Sequence, residues 1–230
     1  MSKIIIKMSG EALSSEKEIY ENKIIEALVL DIKKLLEEKK EVGIVIGGGN
    51  IWRGAGKEIE RTMADQMGML ATIMNSIYFK AFAENYGVYS HIYTPMPAGA
   101  FTHVYDREKV LLSMEEGKFV IFAGGLGHPF FSTDTIPVLR ALELKADRVL
   151  FAKNIDGIYD KDPKKHEDAV KYKKLTYKEI IQNRLEVIDL AAAVLLENGG
   201  IKSTIFGLSE KNSVYRAATE EESFGTIINS

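Results

Sequence analysis

The chain has 230 residues and no cysteine, and 30 Lys plus Arg stand against 33 Asp plus Glu for a formal net charge of -3. That length suits one large domain or two small ones and allows a sizeable core. The slight acidity argues against a nonspecific grip on nucleic acid or an anionic membrane, the missing thiols exclude disulfides and cysteine chemistry, and no apolar run reaches the roughly 20 residues of a membrane span. The apolar run in the N-terminal MSKIIIKMSG is too short for a signal peptide. A cytoplasmic protein with a small-molecule partner is expected.

Short runs rich in Ile, Val and Phe alternate with segments of helical period, the pattern of a mostly parallel sheet covered by helices on both faces. In chain order the expected strands are Lys3 to Lys7, Val42 to Ile46, Val88 to Tyr93, Phe119 to Ala123, Arg148 to Ala152, Lys202 to Phe206 and Thr226 to Ile228. Between the first two, Ile24, Ile25, Leu28, Ile32, Leu35 and Leu36 form the stripe of a core-facing helix. A longer helix is expected from about Thr62 to Asn85, with Met67, Met69, Leu70, Ile73, Met74 and Ile77 as core packing. Its apolar residues also spread wider than one buried stripe requires, which makes it the candidate subunit contact. Thr176 with Glu179 three residues on is a capping box, and Leu190 to Glu197 ends at Asn198 and two glycines, a helix stop. KDPKKHEDAVKYKK reads as a solvated loop. With no repeat, low-complexity tract or linker, one domain over 1–230 is expected, although the part from about Arg148 onward has strands and helices of its own.

In open parallel sheets ligands gather beyond the carboxyl ends of the strands. The turns there are KMSGEAL, then GGGN followed by Arg53, then GGLGHPFFSTD, then KNIDGIYDKDP. The stretch VIGGGNIWRG puts bare backbone beside a cation, as a phosphate site would, but it has neither the P-loop nor the dinucleotide spacing. Each piece has an ordinary explanation: Lys7 as a strand-closing surface lysine, GGG as a tight turn, Asp134 as the N-cap of a helix with Pro137 in its first turn, and the Asp156 and Asp162 segments as turn chemistry. The four histidines have no metal-ligand spacing. Cations, bare backbone and carboxylates nevertheless fall together at one end of the sheet, a combination that suits phosphoryl transfer. Lys7 and Arg53 would supply fixed positive charge, and Asp134 or Asp162 would hold magnesium directly or through water. An anionic acceptor would need no general base, which accounts for the lack of an obvious Ser-His or Cys-His arrangement.

KMSGEAL, VIGGGNIWRG, ADQMGMLAT, GGLGHPFFSTDT, KNIDGIYDKDP, KLTY and the closing GTII together resemble the bacterial-type uridylate (UMP) kinases of the amino acid kinase superfamily over nearly the whole chain. GGGN is shared with relatives that phosphorylate carbamate, acetylglutamate or aspartate, whereas ADQMGMLAT and PFFSTDT resemble the uridylate branch. The resemblance implies a three-layer αβα sandwich, with the acceptor nucleotide on the side of about 1–147 and ATP on that of about 148–230. It further implies reversible transfer from magnesium ATP to UMP in pyrimidine biosynthesis, a homohexamer, and UTP as a candidate feedback inhibitor. By the same resemblance Lys7, Met8, Ser9 and Gly10 lie at the ATP phosphates, Gly48 lies against UMP, and Gly49 and Arg53 stand near the transferred phosphate. Asp65 would contact the UMP nucleoside, and Leu126, Gly127, His128, Pro129, Phe130, Phe131, Ser132 and Thr133 would wrap its base and phosphate. Asp134 would act at the transfer centre by orienting Lys7 or magnesium, and Lys153, Tyr159 and Asp162 would contact the adenine nucleotide. No metal cage of side chains is implied; Mg2+ comes with ATP.

Three departures stand out. His128 replaces a common asparagine, Phe151 stands where a strand lysine is usual, and SSEKEIYENK replaces a glycine-rich segment, which removes the expectation of GTP activation. The competing readings are a superfamily kinase of a carboxylate or carbamate and a nucleotide-binding or storage protein without turnover.

Overall fold

The computed structural model describes residues 2–53, 58–183, 185, 187–220 and 224–230; Gly54, the last residue of VIGGGNIWRG, lies outside them. The isoleucine run on β1 (Lys3–Met8) is buried on both faces, so this strand belongs in the middle of a sheet. It pairs in parallel with β2 (Glu41–Ile46) on one side and β6 (Arg148–Lys153) on the other. With β3 (Ser90–Thr94), β4 (His103–Val104), β5 (Phe119–Phe122), β7 (Lys174–Thr176), β8 (Lys202–Gly207) and β9 (Thr226–Asn229), the order across the nine described strands is β4-β3-β5-β2-β1-β6-β8-β9-β7. Every pairing is parallel except that of β8 with β9.

Helices cover both faces. Alternation along β1 sends Ile4, Ile6 and Met8 into a core shared with α1 (Asn22–Glu37), α2 (Arg61–Glu84) and α7 (Ser213–Thr219). Ile5 faces the opposite core, shared with α3 (Arg107–Glu115), α4 (Thr135–Leu144), α5 (Tyr177–Gln182) and α6 (Leu190–Gly199). This is the expected three-layer αβα sandwich. All seven expected strands are present to within two residues, and the Thr176–Glu179 capping box and the Gly200 stop after α6 form as read. Strands β4 and β7 went unread because two or three residues carry no period.

The core reading of α2 needs correction. Ile73 is buried and Met69 half-buried, but Met67, Leu70, Met74 and Ile77 are exposed. The buried side of this helix is instead made mostly of small residues, with Ala64, Ala71, Thr72, Ser76 and Ala83 beside Asn75 and Phe79. Small residues let the helix approach the glycine turn after β2 closely, and that turns the larger apolar residues outward.

Candidate active site

The carboxyl ends of β1, β2, β5 and β6 meet at one edge of the sheet. There the glycines first serve packing. A Cβ at Gly10 would lie 2.4 Å from Asn50 Oδ1 and 2.5 Å from the Gly47 carbonyl oxygen, and one at Gly48 would lie 2.9 Å from both Ala71 Cβ and the Gly68 carbonyl oxygen. The turns after β1 and β2 are thus pressed against each other and against α2. Buried Asn75 fastens them, its Nδ2 donating to the Gly47 carbonyl and to Asn50 Oδ1, both at 2.7 Å. What remains faces a cleft of about 370 Å³ lined in part by Lys7, Ser9, Gly10, Gly48 and Gly49. Ser9 Oγ is buried there without a protein partner, an orphaned donor of the kind a phosphate oxygen satisfies. Met8 offers only backbone, because its side chain is in the core. Arg53 stands exposed and donates to the carboxylate of Glu11, which also lines the cleft.

Beside the cleft lie three paired charges. Asp134 precedes α4, but its side chain caps nothing. Its Oδ1 pairs with Lys7 Nζ at 2.8 Å and its Oδ2 with Lys153 Nζ at 2.9 Å. The ordinary explanation of this residue as an N-cap therefore fails. Burial pushes the Asp134 carboxyl up, but the two ammonium groups outweigh it and hold the group below its usual range. Burial and then the like charge of Lys7 push Lys153 down, against the pull of Asp134 and Asp189.

Asp189 went unread. Its Oδ2 accepts from Thr135 Oγ1 at 2.6 Å, while Oδ1 accepts from the amides of Ala191 and Ala192 and so caps α6. The available signal was an aspartate immediately before the apolar run LAAAV.

On the other side of the cleft, Asp65, Leu126, His128, Phe131 and Thr133 line the wall, whereas Gly127, Pro129, Phe130, Ser132 and Arg53 do not. Ser132 Oγ accepts from the Asp134 amide at 3.0 Å. Phe130 has a positive φ of 70°, its ring lies 5.2 Å from the Arg61 guanidinium, and its amide donates to Asp65 Oδ2 at 2.8 Å. Asp65, expected at the UMP nucleoside, thus anchors the loop expected to wrap it. Trp52, Gly68 and Thr72 also line the cleft and were missed: Trp52 stands in the turn after β2, where only the glycines and Arg53 drew notice, and Gly68 and Thr72 lie on α2, away from any strand end.

Tyr159 and Asp162 border a second cavity, of about 680 Å³, which also reaches Lys153. Tyr159 donates to Asp156 Oδ1 at 2.8 Å, and Asp162 accepts from the Lys164 amide at 3.0 Å. Lys153 also borders an apolar cavity of about 700 Å³ between α5 and α6, with Asp134 and Asp189 on its wall. Among the described residues no three His, Cys, Asp or Glu come together as a metal cage.

The amino acid kinase family model matches residues 2–207. Among solved structures, UMP kinase from Bacillus anthracis is 34% identical with a TM-score of 0.94, the match covering 99% of this chain and 96% of that one. UMP kinase from Ureaplasma parvum is 30% identical with a TM-score of 0.93, covering 100% and 99%. Uridylate kinase from Archaeoglobus fulgidus is 25% identical with a TM-score of 0.74, covering 98% and 99%.

Proposed function

Because the chain belongs to the amino acid kinase family and groups there with the bacterial UMP kinases, we propose that it transfers the γ-phosphoryl group of ATP reversibly to UMP, giving UDP and ADP. The observation that carries this is Asp134 holding Lys7 at the floor of a glycine-walled cleft that ends on an orphaned serine hydroxyl. UMP would occupy the cleft on the 1–147 side, against Gly48, Asp65 and the 126–133 loop, and ATP the cavity bordered by Tyr159 and Asp162 on the 148–230 side.

The UMP phosphate is anionic at neutral pH, so it attacks without a general base. Lys7 stabilises charge on the phosphoryl group in flight, and Asp134 fixes the direction of its ammonium. Ser9 Oγ and the turn amides orient the phosphates, and Arg53 exchanges the Glu11 carboxylate for a phosphate when substrate arrives. Asp134 or Asp162 would hold the magnesium that arrives with ATP, directly or through water, and the ion would further neutralise the donor phosphates. We place the reaction in the cytoplasmic supply of pyrimidine nucleotides. The assembly is a homohexamer that uses the exposed apolar side of α2, and UTP is a feedback inhibitor.

ADP release with magnesium ATP against UMP, CMP, dTMP, carbamate, aspartate and acetylglutamate tests the reading. Turnover with UMP is the expected result. Turnover confined to a carboxylate or carbamate would refute the acceptor assignment, and binding of ATP with no turnover would refute the enzyme.

A further inference from the structure

The loop after β5 is held to α2 at two points, and the two differ in kind. At the far end the Phe130 amide donates to Asp65 Oδ2 at 2.8 Å, in a bond open to solvent. At the near end the Gly124 amide donates to Thr72 Oγ1 at 2.8 Å, in a buried one. The Thr72 hydroxyl has a single proton, and it goes back to the Met69 carbonyl at 2.6 Å, three residues earlier on the helix. The oxygen is left as an acceptor facing away from the helix backbone, which is what the Gly124 N-H requires. An exposed hydrogen bond can be exchanged for one to water, whereas a buried amide that loses its acceptor stays unpaired. Asp65 is thus the end that can let go, and Thr72 the end that cannot.

Thr72 follows Asp65 by two helical turns, about 10 Å along the axis, so the loop is laid along α2 between its two mounts. A Cβ at Gly125 would lie 3.3 Å from Met69 Cγ on that helix, and one at Gly127 would lie 3.2 Å from Pro95 Cβ in the turn after β3. Leu126, His128, Phe131 and Thr133, which line the cleft, all come after the Thr72 bond in the chain. Their placement starts from it.

We propose that Thr72 is a positioning residue for the acceptor: it fixes the start of the 124–133 loop against α2 and so sets how closely the loop meets the acceptor nucleotide. The proposal rests on the kinase reading above. Asn75, one turn further along the buried side of α2, has the matching task at the Gly47 carbonyl. In that reading the glycine turn serves both substrates and the loop serves the acceptor, so a change at Thr72 acts on one substrate alone.

The test compares wild type with Thr72→Val, which keeps the shape and removes the hydroxyl, and Thr72→Ser, which keeps the hydroxyl. Both are studied in the full chain by steady-state kinetics with UMP and by calorimetric titration with the non-hydrolysable analogue AMP-PNP. For the Val variant KM for UMP should rise about tenfold or more. Its kcat should stay within about threefold and its AMP-PNP binding within about twofold of wild type, and Ser should restore KM. An unchanged KM, a Ser variant as impaired as Val, or equal weakening toward UMP and AMP-PNP would overturn the proposal. If the Val variant does not fold, Thr72→Ala removes the same hydroxyl and gives the same comparison. Should wild type fail to turn over UMP, the acceptor assignment falls, and hydrogen exchange over 124–133 still decides the role of Thr72. Faster exchange in Val and wild-type exchange in Ser would support it, and unchanged exchange in Val would overturn it.

Discussion

Asp134 shows how one residue carries two meanings in a sequence and one in space. Before a helical run with an early proline it reads equally as a cap or as a site, and only the fold brings β1 and β6 close enough for both lysines to claim its oxygens. Asp134→Asn should leave two ammonium groups without their counter-charge and lower stability by about 3 kcal/mol, measurable by urea unfolding at pH 7. Because its folded pKa is depressed, Asp134 adds stability above the usual carboxylate range and loses it as pH falls below that range. The Asn variant should therefore show a shallower acid limb than wild type. Lys7→Ala should reduce kcat about 100-fold or more and leave the far-ultraviolet circular dichroism unchanged; turnover near the wild-type rate would remove Lys7 from the transfer step. That Lys7 and Ser9 would stand at the mouth of the sheet was legible because they close a strand, and both line the cleft there. Asn75 and Asp189 were not legible, because their importance lies in partners far away in sequence, such as Gly47 and Thr135.

Among the elements, the buried strands were legible because a run such as KIIIKM or FVIF leaves little alternative to the middle of a sheet. Helix α2 was legible in extent and misread in orientation: large apolar residues suggested the core, yet the close approach of the helix selects its small ones. The same closeness gives the second glycine of GGGN a structural duty. Gly48→Ala would bring a methyl to 2.9 Å from α2, and it should lower the melting temperature by the several degrees that correspond to about 1–3 kcal/mol of overpacking. An alanine variant as stable as wild type would mean that the turn and the helix part more easily than their contact implies.

In the whole molecule, the exposed side of α2 bears on assembly. Met67, Leu70 and Met74 lie on one helix with much of their surface in solvent, and apolar patches of this kind mark contacts between proteins. If α2 carries the proposed subunit contact, Leu70→Glu combined with Met74→Lys should lower the sedimentation coefficient to that of a smaller species than wild type forms; an unchanged coefficient would place the contact elsewhere. The αβα layering was legible from the alternation of strands and helices, short β4 and β7 apart, whereas for an assembly the sequence offered only a surplus of apolar residues on one helix.

The position of β1 has a mechanical consequence. It is hydrogen-bonded along its length to β2 on one side and to β6 on the other, so the parts of the sheet on either side of it share one continuous ladder that resists their swinging apart. Enclosure of the substrates then falls to the parts that are not in the ladder, chiefly the loop pinned to Asp65 through the Phe130 amide. Such an enzyme closes like an eyelid and not like a jaw, and the radius of gyration from small-angle scattering should barely change when both nucleotides bind.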